Sequence, residues 1–305
     1  MTFDDFWTQI AGFTDYGELL TLVRFSIIAA AVLGIAGGLI GVFVMQRDMA
    51  FAVHGISELS FAGAAAALLF GVNVVAGSIA GSLIAAIVIG MLGAKARDRN
   101  SIIGVLMPFG MGLGILFLAL YPGRSGNKFG LLTGQIISVD GPQLGLLIVI
   151  SIVVLVALFV VWRPLTFDSL DPEVAAARGV PSRMLSLGFM VLLGLMVAVA
   201  VQIIGALLVM ALLVTPAAAA MRVSSSPRLV PVLSMIFGFV AATGGVLLAI
   251  GGSLPISPYI TTISFTIYLV CRVVGARRGT SRTGRSTGSR ASGAALANAS
   301  ALGKS

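Results

Sequence analysis

Cysteine, histidine and charged side chains are scarce in this chain of 305 residues, and each scarcity excludes a class of protein. Only one cysteine is present, Cys271, so the sequence excludes both an intrachain disulfide and a cysteine metal cluster. Charged residues make up 10% of the chain and hydrophobic residues 58%, whereas a soluble domain usually carries about 25% charged residues. The composition therefore excludes an ordinary soluble protein and indicates a membrane protein.

The basic residues are placed as in a membrane protein, although the net charge of +8 would also suit a nucleic-acid partner. Six of them lie in the C-terminal tail, and most of the others lie in short loops between apolar runs. The N-terminal stretch MTFDDFWTQI is acidic and lacks the basic region of a signal peptide, so we expect the first helix to direct membrane entry. The loop charges predict an N-terminus outside, a cytoplasmic C-terminus and no nucleic-acid partner.

Apolar runs of about twenty residues, each able to cross a hydrocarbon core roughly 30 Å thick, recur along the chain. They predict an all-α, polytopic transmembrane bundle of about nine spans, with eight to ten as the range. The predicted spans cover residues 22–46, 51–70, 72–94, 102–121, 143–162, 184–202, 204–221, 229–250 and 256–274.

Four glycine pairs at four-residue spacing predict close helix contacts. They are Gly34 and Gly38, Gly37 and Gly41, Gly77 and Gly81, and Gly110 and Gly114.

Three segments interrupt this pattern within a predicted membrane domain over residues 1–275. Residues 129–139 are too short to span and predict a re-entrant or interfacial helix. Residues 165–183 form a polar cytoplasmic segment in which Asp171 caps a short amphipathic helix, Pro172 begins it and Gly179 ends it. Residues 276–305 are rich in Arg, Ser and Gly and are predicted to form a disordered tail. Two alternatives apply to this tail: its arginines are attracted to anionic lipid, or it is simply exposed to solvent. Its final GKS lacks the rest of a phosphate loop, so the chain is expected to hold no nucleotide and not to be an enzyme.

The only histidine, His54, lies four residues before Glu58 within the second predicted span. Counted from Arg47 at the interface, His54 is about 10 Å deep and Glu58 about 16 Å deep. Ionisable groups at that depth usually face the protein interior or an ion pathway. The spacing puts both side chains on one helical face, where they can share a divalent cation. The alternative is a buried His–Glu hydrogen bond that only joins helices.

Several stretches resemble, in order, the zinc/manganese permease family of bacterial ABC importers. They are RDMAFAVHGISELSFAGAAAALLFG from Arg47, SIIGVLMPFGMGLGILFLAL from Ser101, LLTGQIISV from Leu131, FDSLDPEVAAARGVP from Phe167, VQIIGALLVMALLVTPAAAAM from Val201, ATGGVLLA from Ala242 and LPISPYI from Leu254. The resemblance covers about residues 20–275. Aligned through Ser57 and Gly63, the family's aspartate falls on His54 and its histidine on Glu58, so the carboxylate and the imidazole are both kept but in exchanged order.

The resemblance implies a multi-pass subunit of the bacterial plasma membrane that moves a metal ion. It would form a homodimer, with a separate ABC ATPase in the cytoplasm and an extracellular or periplasmic metal-binding protein. His54 and Glu58 would be the transit site. Zinc is favoured and manganese is next, because imidazole suits zinc and carboxylate suits both. The ion would be transported cargo, with no permanently bound cofactor.

The resemblance also implies roles for two other groups of residues. The segment carrying Asp171, Glu173, Arg178 and Gly179 would couple the bundle to the ATPase. Thr215 and Pro216 would kink the seventh span and act in gating, or merely in packing, because proline removes a backbone hydrogen bond.

Three alternative functions remain open at this point. The chain could be an ABC permease for a siderophore or cobalamin, but its 8% aromatic content suits a small ion better. It could be a stand-alone proton-coupled carrier with His54 and Glu58 as the relay, but we find no internal repeat of the kind such carriers show. A structural membrane scaffold would leave the midplane carboxylate without a role.

Overall fold

The computed structural model describes residues 20, 22–92, 96–123, 134, 139–250 and 256–277. Within these residues nine helices are long and apolar enough to cross a membrane, and there are no strands. The predicted all-α bundle of about nine spans is therefore confirmed. The orientation of the termini stays a prediction.

The described residues form eleven helices, of which the short α6 is not a membrane span. Helices α8 and α9 together make up the seventh span, so the eleven helices give nine spans. The helices are α1 (Arg24–Gln46), α2 (Ala50–Leu69), α3 (Val74–Leu92), α4 (Ala96–Leu120), α5 (Gly141–Leu170), α6 (Pro172–Ala177), α7 (Ser182–Ile204), α8 (Ala206–Leu213), α9 (Thr215–Val223), α10 (Leu229–Ile250) and α11 (Ile256–Arg277).

The first span packs against the eighth through glycines, as the four-residue spacing predicts. A Cβ atom added at Gly34 would lie 2.5 Å from the carbonyl oxygen of Gly238, and one added at Gly38 would lie 2.5 Å from that of Ser234. The Ser234 hydroxyl also donates a hydrogen bond of 2.5 Å to the Gly38 carbonyl. The backbones of α1 and α10 are therefore in direct contact, which small residues permit between membrane helices.

The second span lies inside the bundle, packed against α3, α4, α7 and α8. Gly63 of α2 meets the backbone of Gly77 and Gly81 on α3, and there is no room for a side chain between them. On another side, Gly110 of α4 lies against the backbone of α2 at Leu59. Helix α2 is thus held on two sides by backbone contacts, and its position in the bundle is well defined.

Buried hydroxyl groups add hydrogen bonds between α2, α3 and α7. The Oγ atoms of Ser60 and Ser78 are 2.7 Å apart, and the Ser78 hydroxyl donates to the carbonyl of Ala198 at 3.2 Å. Ser60 and Ser78 are fully buried. Because buried polar groups without partners destabilise a fold, this continuous set of hydrogen bonds favours one arrangement of the three helices.

The fifth span is longer than predicted. The sequence predicts an end at residue 162, but α5 continues past Pro164 to Leu170. Two residues of the extension are buried, Leu165 completely and Asp168 with 2% of its surface exposed. Their burial against the bundle keeps the helix intact beyond the apolar run. Residues 165–170 are therefore part of α5, and the cytoplasmic connection predicted over 165–183 begins only at Asp171.

Three further predictions lie wholly or largely outside the described residues. The predicted interfacial helix over 129–139 is described only at Gly134 and Val139, and the tail over 276–305 only up to Arg277. The acidic N-terminal stretch is not described. The division into a membrane domain over residues 1–275 and a tail stays a prediction.

Candidate metal centre

His54 and Glu58 lie one turn apart on α2, the helix enclosed by four others. The distance between His54 Nε2 and Glu58 Oε1 is 3.6 Å. This is slightly longer than the usual limit of a hydrogen bond, so the two groups adjoin without a direct one, and both the shared ion and the His–Glu contact stay predictions. The Glu58 side chain is 4% exposed and the His54 side chain 28%. The carboxylate is thus enclosed, and the imidazole has one open side.

The spacing of the two donor atoms matches that of two ligands on one ion. Ligand atoms about 2.1–2.2 Å from a metal ion and 3.6 Å from each other subtend an angle of about 110–120° at that ion. Tetrahedral and trigonal sites use such angles. His54 and Glu58 could therefore bind the same divalent cation without any movement of the helix backbone.

Among the described residues the pair stands without a larger cluster of ligands. In the part of the chain that the structure describes, no group of three or more His, Cys, Asp or Glu side chains could hold a metal ion. The Nδ1 atom of His54 is buried and has no hydrogen-bond partner among those residues. The pair therefore offers two side-chain ligands, which suits brief binding better than the four ligands of a structural site.

The face of α2 beside the pair is closed by small and apolar residues. Between the two residues, a Cβ atom added at Gly55 would lie 3.3 Å from Ile103 and 3.7 Å from Met107, both on α4. The Ser57 hydroxyl donates to the His54 carbonyl at 2.8 Å, so it is used within the helix. An apolar wall of this kind excludes water and strengthens electrostatic attraction between the carboxylate and a cation.

The predicted short helix is present as α6. Asp171 accepts a hydrogen bond of 3.1 Å from the backbone N–H of Val174, so it caps the helix as predicted. Glu173 lies in the exposed first turn, and Arg178 and Gly179 follow the last. Gly179 has a φ of +82°, a left-handed conformation that favours glycine at a helix end. The role of these four residues in ATPase coupling stays a prediction.

The seventh span is divided into two helices. Helix α8 ends at Leu213 and α9 begins with Thr215 and Pro216. Val214 between them keeps right-handed helical dihedrals and hydrogen-bonds to Met210 and Ala218, so the division is a kink within one span. Proline lacks the N–H that would continue the hydrogen-bonding ladder and is tolerated in a first turn. Thr215 and Pro216 thus lie at the kink of the seventh span, and their gating role stays a prediction.

One buried interaction was missed by sequence reasoning. Asp168 Oδ2 accepts a hydrogen bond from Arg47 Nη2 at 2.6 Å, and the two side chains are 2% and 10% exposed. The residues are 121 positions apart, so no local pattern links them. The signal in the sequence was weak: Asp168 lies six residues after the predicted end of a span, in a segment that also holds Asp171 and Glu173.

Comparisons with known proteins find relatives that cover most of the chain. A family model described as the ABC 3 transport family matches residues 20–275. The manganese transport system membrane protein MntC of Halalkalibacterium halodurans is 27% identical over 275 residues, which cover 90% of this chain and 92% of that protein. MntC of Listeria monocytogenes is 32% identical over 223 residues, covering 72% and 79% respectively. The solved structure of PsaBC from Streptococcus pneumoniae in complex with Fab superposes with a TM-score of 0.76 at 26% identity, covering 84% of this chain and 94% of that one.

Proposed function

The chain belongs to the ABC 3 transport family, and from this premise we propose that it moves a divalent transition-metal ion into the cell as the permease subunit of an ABC importer. The observation that carries the choice of cargo is the pair His54 and Glu58. An imidazole and a nearly buried carboxylate 3.6 Å apart suit a small cation. They would hold the ion on its way through the bundle.

Manganese and zinc are the two ions to consider. The MntC relatives are named for manganese, which favours manganese for this chain. The ligand set alone favours zinc, since imidazole is a better ligand for zinc than for manganese and carboxylate suits both. We propose manganese first because relatives that span most of the chain carry that name.

The proposed orientation follows from the charges. Successive spans of a membrane bundle alternate in direction. One side of the bundle therefore holds the C-terminal ends of α1, α5 and α9, together with α6. Arg47, Arg163, Arg178 and Arg222 lie on this side, which we call the basic end. By the positive-inside rule the basic end faces the cytoplasm, where the ATPase would bind.

The surface around α6 suits a protein partner. Leu170, Val174 and Met184 are 70%, 43% and 76% exposed, beside the capped turn at Asp171. Neighbouring apolar side chains that are exposed outside the hydrocarbon core often mark a protein contact. We therefore assign this surface to the ATPase, with two copies of the permease and two of the ATPase in the complex, and a metal-binding protein at the opposite end.

In the proposed cycle the ATPase drives the permease between two states. Binding of ATP would move α6, and the bundle would then expose the pair His54 and Glu58 to one side of the membrane at a time. The apolar wall at Gly55 would keep water away from the ion between those states. The seventh span would bend at the kink at Val214, beside Thr215 and Pro216.

The proposal is tested by uptake measurements on the complete importer. Cells would carry this chain with the ATPase and the binding protein encoded beside it, and uptake of radiolabelled manganese and zinc would be measured. We expect ATP-dependent uptake of manganese that disappears when the ATPase lacks its catalytic carboxylate. Uptake that persists with the inactive ATPase would indicate a stand-alone carrier, and uptake of neither metal would refute the proposed cargo.

Binding of the ATPase is expected to depend on the exposed apolar residues beside α6. Val174→Asp places a charge in the proposed interface and should reduce co-purification of the ATPase at least about tenfold, because burying an unpaired charge is costly. Asn100→Asp is the matched control, since it adds the same charge at an exposed position near the start of α4, away from the residues assigned to this surface. Normal co-purification with Val174→Asp would remove α6 from the interface.

A further inference from the structure

The buried ion pair between Arg47 and Asp168 joins two parts of the chain to which the proposed function gives separate tasks. Arg47 follows α1 and comes just before α2, the helix that carries the candidate metal centre. Asp168 lies at the end of α5, three positions before Asp171, which caps α6. The Nη2–Oδ2 distance is 2.6 Å, and both side chains are nearly enclosed.

Arg47 contacts three other helices. Besides its bond to Asp168 on α5, its guanidinium lies 5.8 Å from the centre of the Phe189 ring on α7. Its backbone carbonyl accepts a hydrogen bond of 3.1 Å from Arg99 Nη2 on α4. Because its guanidinium is bonded directly to Asp168, a displacement of α5 would act on Arg47 and, through its backbone, on the contact with Arg99.

The turn between α1 and α2 is short and well fixed. Its central residue, Asp48, has a φ of +52°, a left-handed conformation that is uncommon outside glycine. The backbone N–H of Met49 donates to the carbonyl of Val44 at 2.8 Å, and the Met49 side chain is 2% exposed. Such a backbone persists only where surrounding contacts enforce it. Movement of Arg47 would therefore be passed to α2, where His54 is seven residues further along.

The pair is poorly suited to a purely stabilising role. Arg47 Nη1 and Asp168 Oδ1 are buried, and neither has a hydrogen-bond partner among the described residues. Buried ion pairs often contribute no more stability than apolar residues of the same size, because both charges lose their hydration. An incompletely bonded pair contributes even less. Its position between α6 and α2 explains its presence better.

We propose that the Arg47–Asp168 ion pair is a positioning contact that transmits displacement of α6 to α2, so that ATP hydrolysis stays coupled to movement of the ion. This inference rests on the proposed function and adds to it the connection between the ATPase surface and the candidate metal centre. Arg47 and Asp168 touch neither the ion nor ATP in this proposal.

The test measures how many ions the complete importer moves for each ATP that it hydrolyses, in proteoliposomes with manganese and with zinc. Two permease variants remove the ion pair: Asp168→Asn, and the double variant Arg47→Met with Asp168→Leu, which fills the site with apolar groups. Arg163→Gln is the control, because Arg163 is exposed on the same helix. We expect both ion-pair variants to lower the number of ions moved per ATP at least about fivefold, a factor at the lower end of the usual coupling between two sites of a protein. The KM for the metal should not change.

The outcomes separate a transmitting role from a structural one. Normal ion-to-ATP ratios in the double variant would overturn the proposal and leave the pair as a packing contact. Failure of both variants to assemble with the ATPase, as judged by size-exclusion chromatography, would also overturn it, since the pair would then be a folding requirement. The proposed function is tested on the wild type alone: absence of ATP-dependent uptake there would refute that function, whereas a lowered ratio confined to the variants would not.

Discussion

Replacing His54 with alanine or Glu58 with glutamine is expected to reduce metal uptake by at least about tenfold at equal membrane levels. Even residues that only support metal ligands change metal affinity by about 10–100-fold, and we assign both side chains as ligands themselves. Glu58→Gln keeps the size of the side chain and removes its negative charge. His54→Ala removes the imidazole that lies 3.6 Å from the carboxylate. Uptake of radiolabelled manganese and zinc, with permease levels measured by immunoblot, gives the effect.

The matched control for these variants is Ser57→Ala. Ser57 is fully buried on the same helix, and its hydroxyl donates to the His54 carbonyl, so the variant removes a buried polar group while leaving both proposed ligands in place. We expect nearly normal uptake with this variant. The double variant His54→Asp with Glu58→His restores the order of donors that the family resemblance gives, and we expect it to retain uptake. Normal uptake with both single variants would place the ion path elsewhere in the bundle.

A valine at Gly63 is expected to disrupt the packing of α2 against α3. A Cβ at this position would overlap the Gly77 carbonyl and touch the backbone of Gly81, and neither can move without shifting a whole helix. Overpacking of a well-packed core typically costs about 1–3 kcal/mol, occasionally more. We therefore expect Gly63→Val to lower the melting temperature of the purified permease. Uptake should also fall, because α2 carries the candidate metal centre.

Gly112→Val separates the packing effect from the general effect of valine in a membrane helix. Gly112 lies within α4, and no atom lies within 4 Å of a Cβ built there. This variant should melt close to the wild-type temperature and transport normally. Equal destabilisation by the two valines would show that the four-residue glycine spacing does not govern packing at this contact.

The sequence predicts well those features that depend on neighbouring residues. Span lengths follow from apolar runs, and the spacing of His54 and Glu58 places both on one face because a helix repeats every 3.6 residues. The helix at α6 is encoded within nine residues, from the Asp171 cap to the left-handed Gly179. The glycine pairs predict close contacts, but the sequence does not tell which helix each pair meets.

Features that depend on distant residues were not predicted. The continuation of α5 to Leu170 depends on burial against other helices, which the polar sequence around Asp168 does not indicate. The partner of Asp168 is Arg47, 121 positions away, so neither residue shows the pairing in its own surroundings. The kink at Val214, by contrast, lies next to Pro216, whose missing N–H can be read directly from the sequence.

The contact between α1 and α10 has a consequence for biosynthesis. Gly38 and Ser234, which hydrogen-bond across it, are 196 positions apart. At a synthesis rate of about 5–20 residues per second, roughly 10–40 s pass before the partner of α1 leaves the ribosome. During that time α2, α3 and α4 can already pack together, because they follow one another in the chain. The first span to enter the membrane is thus among the last to find its partner, and a truncated chain that ends before α10 would leave the glycine face of α1 open to other helices.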